Sequence, residues 1–96
     1  MSELVYTLIE FCSVAKVDEQ RATEFVEHGI LEPQLRQDQW IFPSEALSRC
    51  QRAERMRQDL QLDLHGVALA LELTERNQKL RQRIDYFEQL IDRLRH

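Results

Sequence analysis

Glycine and proline are scarce, with two of each in 96 residues, and the chain carries only two cysteines and 7% aromatic residues. So few chain breakers exclude a disordered tail and a collagen-like chain, and they favour helices. No phosphate-cradling loop can be assembled from Gly29 and Gly66 alone, and there is neither a nucleophile elbow nor a His-Glu-x-x-His run. Cys12 and Cys50 have no Cys or His at ligand spacing, and His28, His65 and His96 are scattered. Neither a metal site nor a redox pair is written here, and both thiols read as buried small hydrophobes. These absences point away from an enzyme and imply no catalytic residue, metal or cofactor. No apolar run approaches the roughly 18 to 20 residues of a bilayer span. The opening Met1-Ser-Glu-Leu-Val-Tyr lacks the basic end and apolar core of a signal peptide, so a cytoplasmic location is expected.

What is present is 43% hydrophobic and 31% charged residues, the balance of a mostly helical domain. The length suits one small domain, which buries only roughly 60 to 65% of its unfolded surface, so association with a partner would stabilise it. The net charge of -4 is unevenly spread. From Met1 to Gln34 the carboxylates Glu3, Glu10, Asp18, Glu19, Glu24, Glu27 and Glu32 meet only Lys16 and Arg21, a net of -5; the rest of the chain is close to neutral. Such a region repels phosphate and suits a basic protein.

Along the chain, the segment Tyr6 to Ala15 reads as a first short helix, with Leu8, Ile9, Phe11, Cys12 and Ala15 on its stripe, Thr7 as N-cap and Glu10 at capping-box spacing. Asp18 caps a second helix, Glu19 to His28, with Ala22, Phe25 and Val26 inward and Gly29 as its left-handed stop. The pair reads as a helix-turn-helix, covered by Ile30 and Leu31. After Pro33, the stretch Gln34 to Phe42 has the length of a two-stranded wing turning at Gln37-Asp38, with Leu35, Trp40 and Phe42 available to face the body. Ser44 is placed to cap a third helix, Glu45 to about Leu60, whose inner face would be Ala46, Leu47, Cys50, Ala53, Met56 and Leu60. Arg49, Arg52, Arg55 and Arg57 fall mostly off that face and read as a solvated helix surface diluted by Glu54 and Asp59.

Asp63 can cap a fourth helix from Leu64 onward, with Val67, Leu69, Ala70, Leu71 and Leu73 in its apolar run. From there Leu73, Asn77, Leu80, Ile84, Phe87, Ile91 and Leu94 recur at heptad spacing, and Asn77 is a polar residue of the kind that sets register. The seam predicts a coiled-coil dimer interface; folding back onto its own domain is the alternative. The expected organisation is a winged helix-turn-helix domain over residues 1–72 and a dimerisation helix over 73–96.

This order, all-α with a small β wing and a long C-terminal coiled-coil helix, resembles the MerR-like winged helix-turn-helix regulators over nearly the whole chain. Tyr6-Thr7-Leu8-Ile9-Glu10, Gly29-Ile30-Leu31-Glu32-Pro33 and Leu62-Asp63-Leu64 carry the likeness. The DNA-reading parts depart from it. Thr23, Glu24 and Phe25 stand where such regulators usually carry an Arg followed by aromatics, and Trp40-Ile41-Phe42 stands in place of a wing Tyr-Arg. Both departures remove a cation. A narrower resemblance, to the bacterial chaperone-modulator family CbpM, is carried by Trp40-Ile41-Phe42, by the segment Gln51 to Leu60 and most of all by Leu62-Asp63-Leu64-His65-Gly66-Val67-Ala68-Leu69-Ala70-Leu71. His65 stands where a bulkier pair ending in Pro is often seen in that family.

The resemblance implies a modulator that acts by binding a protein, which fits the absence of enzyme motifs and the dimer expected from the seam. It would bind the J-domain of a CbpA-type DnaJ-like co-chaperone and inhibit it by competing with the DnaK-type chaperone. Glu10, Glu19, Glu24 and Glu27 are the candidate partners for a basic helix of the J-domain, with an apolar anchor nearby. The rival expectation is a DNA-binding regulator that uses Arg49, Arg52, Arg55 and Arg57 on one face of the third helix. A small-molecule sensor lacks the cysteines or aromatic cage it would need.

Overall fold

The computed structural model describes residues 4–95; Glu3 of the acidic N-terminal count and His96 lie outside them. A short strand β1 (Val5–Thr7) leads directly into α1 (Leu8–Ala15), followed by α2 (Glu19–Glu27), the hairpin strands β2 (Gln34–Arg36) and β3 (Gln39–Pro43), then α3 (Glu45–Leu60) and α4 (Leu64–Arg95).

Helix α1 starts at a complete capping box. The Thr7 N–H donates to Glu10 Oε1 at 2.8 Å, and the Glu10 N–H donates to Thr7 Oγ1 at 3.3 Å. Lys16 ends it in the left-handed region (φ 62°). Asp18 then opens α2 by accepting the Arg21 N–H at 2.7 Å. That helix closes one residue earlier than expected, with His28 as its cap, and Gly29 turns the chain at φ +72°. There the N–H of Ile30 reaches the Phe25 carbonyl at 2.8 Å, which draws Ile30 and Leu31 into the core.

The sheet has three strands in the order β1-β3-β2, not the expected two. Val5-Tyr6-Thr7 pairs antiparallel with β3, in register Tyr6 to Phe42, so Tyr6 belongs to a strand and not to the first helix. A three-residue strand has too few alternations to show in the sequence; its partner across the sheet makes it. The inner face carries Phe42 into the core, where its ring stacks on Phe11 with centroids 4.4 Å apart.

The core joins Phe11, Ala15, Phe25, Ile30, Leu31 and Phe42 to Cys50 and Ala53 of α3 and to Val67 and Leu71 of α4. Several expected inward positions differ. Ile9, Leu35, Leu60 and Leu69 are all more than half exposed, because each sits beyond the edge of its contact face. Ser44 precedes α3 without a side-chain capping bond; its N–H donates to the Leu4 carbonyl at 3.2 Å, joining the end of β3 to the start of the chain. Asp63 caps α4 as expected, accepting the Gly66 N–H at 2.8 Å on Oδ1. A Cβ at Gly66 would lie 3.3 Å from Leu62 Cβ, so the glycine lets this turn close tightly.

Only the first two turns of α4 are buried. At 32 residues it is about 48 Å long. The radius of gyration, 17.1 Å, exceeds the roughly 12.5 Å of a compact chain of this length, so α4 projects from the body.

Candidate functional site

Three surfaces stand out: an open groove beside the wing, the arginines of α3, and the apolar stripe of α4.

The groove, about 500 Å³, lies between the starts of α1 and α2 and the wing. Its apolar lining is Leu8, Ile9, Leu35 and Trp40, and Glu19 and Asp38 add two carboxylates. Leu35 lies directly across from Trp40 in the β2–β3 register, so the two side chains share a sheet face. Two residues further along β3, the same face carries Phe42, whose ring is edge-on to Trp40 at 6.2 Å. The apolar face therefore runs from the buried core at Phe42, through half-buried Trp40, to Leu35 at 68% exposure, and Ile9 flanks it at 72%. The groove is the open end of the core.

The candidate glutamates divide by position. Glu10 is committed to the capping box of α1 through Oε1. Glu24 is half-buried and meets Arg21 at 3.4 Å, on the side of α2 that faces α3. Glu19 is exposed at the groove and Glu27 is exposed at the other end of α2. Neither forms an ion pair among the described residues. Five residues separate Glu19 from Glu24, about 140° around the helix, so the four do not form one cluster. Asp38, which the sequence marks only as part of a hairpin turn, lines the same groove as Glu19. Its signal was the hairpin turn itself, but only the pairing of strands shows what the turn faces.

The α3 arginines are largely engaged. Arg49 grips Glu75 of α4 with two bonds of 3.1 Å, and its third nitrogen donates to the Ile30 carbonyl at 2.6 Å. Arg52 adds a contact to Glu75 at 3.3 Å. Arg57 turns to Glu54, which also lies 3.8 Å from Arg21. The four arginines thus do not form one free face: two lock α3 to α4, and a third lies on the α2 side of α3. The solvated surface expected there holds for Arg55, which is exposed.

Along α4, Leu73, Leu80, Ile84, Phe87, Ile91 and Leu94 are between 50% and 81% exposed, and Asn77 is exposed among them. The seam does not fold back onto its own domain. Cys12 and Cys50 are buried, and burial, helped by Glu54 and Cys12, pushes the Cys50 thiol up to about 12. Burial likewise raises the Cys12 thiol, with Glu19 and Asp18 adding to it. Among the described residues, no group of three His, Cys, Asp or Glu side chains could hold a metal ion, and no helix is long and apolar enough to cross a membrane.

Comparison with known proteins fits this geometry. Residues 6–89 match the family model of MerR HTH family regulatory proteins. A MerR-family transcriptional regulator from Bacillus cereus shares the fold with a TM-score of 0.61, covering 90% of this chain and 70% of its own, at 17% identity. The chaperone modulatory protein CbpM of Citrobacter koseri is 40% identical over 80 residues, 82% of this chain and 79% of that protein. CbpM of Pseudomonas entomophila is 41% identical over 83 residues, 85% and 82% of the two chains. With a MerR-type frame and this identity across most of both sequences, the chain belongs to the CbpM family of chaperone modulatory proteins.

Proposed function

We propose that this chaperone modulator binds the J-domain of a CbpA-type DnaJ-like co-chaperone through its helix-turn-helix face and inhibits it by competing with the DnaK-type chaperone. The observation that carries the reading is the sign of that face: its carboxylates outnumber its cations, and Glu19 and Glu27 are exposed and form no ion pair among the described residues. Carboxylates so placed accelerate encounter with a basic helix and select among partners, and adjacent apolar surface supplies affinity. The protein acts by binding, without catalysis or cofactor, in the bacterial cytoplasm. It works as a homodimer joined along the seam of α4, with residues 1–72 as the binding domain and 73–96 as the dimerisation helix. A charged helix carrying six half-exposed apolar residues in one stripe gains most by pairing with a second copy.

The DNA-binding alternative is less well served. It requires Arg49, Arg52, Arg55 and Arg57 together on one surface, and three of these are held by Glu75 or Glu54. Isothermal titration of the J-domain with wild type and with Glu19→Lys/Glu27→Lys, beside a gel shift on random duplex DNA at low salt, tests the reading. The double reversal should weaken J-domain binding about tenfold and flatten its salt dependence, while wild type shifts no DNA. Unchanged J-domain affinity in the reversed variant, or a DNA shift by wild type, overturns it.

A further inference from the structure

The wing tip is built against its own backbone preference. Gln37 and Asp38 form the two-residue hairpin turn between β2 and β3, and both have positive φ, 50° and 62°. Glycine or asparagine is the usual occupant of such positions, because a Cβ crowds the neighbouring carbonyl there. Here the strained turn contributes a carboxylate to the lining of the groove, together with Glu19, exposed Ile9 and Leu35 and half-buried Trp40. None of the described residues that line the groove is basic, and Arg36 of the wing is turned to Gln34 Oε1 at 2.8 Å.

An apolar trough lined also by two carboxylates that form no ion pair among the described residues matches one kind of occupant: an amphipathic helix that inserts an aliphatic or aromatic side chain and carries Lys or Arg beside it. A hydrophobic peptide would leave both carboxylates desolvated and unpaired, and nucleic acid would meet them with phosphate. We propose that this groove is the anchor site for a basic amphipathic helix of the protein partner, with Ile9, Leu35 and Trp40 seating the side chain and Asp38 and Glu19 holding the flanking cations. The inference rests on the J-domain reading above and adds the wing to its surface.

The test uses the full-length protein and the J-domain of a CbpA-type co-chaperone as probe, with Trp40, the only tryptophan, labelled as fluorotryptophan and followed by fluorine NMR. J-domain addition should move the Trp40 resonance. Ile9→Ser/Leu35→Ser, both at exposed positions, should raise the dissociation constant about tenfold or more. Asp38→Gly relieves the turn, so it should raise the melting temperature while weakening binding severalfold and reducing its salt dependence, a combination that a merely structural role for Asp38 would not produce. If the J-domain binds wild type but the Trp40 resonance stays still and both variants bind within twofold of it, the groove assignment fails and the J-domain reading stands. If the J-domain does not bind wild type, both fail. A Trp40 response to duplex DNA in place of the J-domain also overturns the assignment.

Discussion

Replacing Arg49 with Met tests whether the α3 arginines serve the fold. The guanidinium makes three contacts from one side chain: two bonds of 3.1 Å to Glu75 and one of 2.6 Å to the Ile30 carbonyl. It therefore joins α3, α4 and the end of the helix-turn-helix. A hydrogen bond from a charged donor contributes about 1.5–3 kcal/mol where its loss strands a buried acceptor. The ion pair is worth less, since the two side chains are 26% and 32% exposed and Glu75 keeps Arg52; discounted for solvent screening, it adds up to about 1 kcal/mol. Met retains the aliphatic stem, so the expected destabilisation is about 2–3 kcal/mol, a fall in Tm of roughly 10–20 °C in a chain of this size.

Urea unfolding followed by circular dichroism at one fixed protein concentration measures it, because a dimer's apparent stability depends on concentration. Glu75→Gln, which leaves the Ile30 contact intact, should cost about 1 kcal/mol, and the double variant should be less than additive by a similar amount. Arg55→Met, at an exposed position, is the control and should stay within about 0.5 kcal/mol of wild type. If Arg49→Met were as mild as Arg55→Met, the three-way contact would not hold the domain together, and Arg49 would be available to bind a phosphate.

Leu80→Asp/Ile84→Asp places charge in the middle of the α4 seam. With two side chains lost from each of two protomers, each worth about 1.5 kcal/mol or more, the dimer dissociation constant should rise about 10⁴-fold. Analytical ultracentrifugation would then show monomer with unchanged helix content, and a dimer that persisted would refute the seam. The Cys50 thiol has its folded value raised to about 12 from 9.0. Above pH 9 the unfolded chain ionises there while the folded one does not, so this thiol's contribution to stability is complete below pH 9 and is lost as pH rises toward about 12. Denaturation midpoints measured from pH 8 to 11 should fall more steeply for wild type than for Cys50→Ala, and iodoacetamide at pH 8 should label Cys50 only after unfolding.

Much of this protein is written locally. Three of the four helix starts are set by a short-range bond, Thr7 with Glu10, Asp18 with Arg21, and Asp63 with Gly66, so the starts of α1, α2 and α4 follow from residues three apart. The stop at Gly29 and the heptad seam of α4 are equally legible, since φ +72° and a repeating stripe are properties of one segment. The acidic excess of the first 34 residues is likewise plain in the sequence.

Only tertiary structure decided what those charges face. Arg49 and Arg52 are taken up by Glu75, 26 and 23 positions away, distances at which sequence spacing says nothing about contact. Strand β1 exists because β3 lies beside it, and through the β2–β3 pairing Leu35, expected against the body, extends the sheet's apolar face into an open groove that Asp38 also lines. Helix caps and periodicity act within a few residues, so the chain's own sequence determines them. A groove is made by the approach of segments remote in sequence, so only the folded chain shows where acid and apolar surface meet.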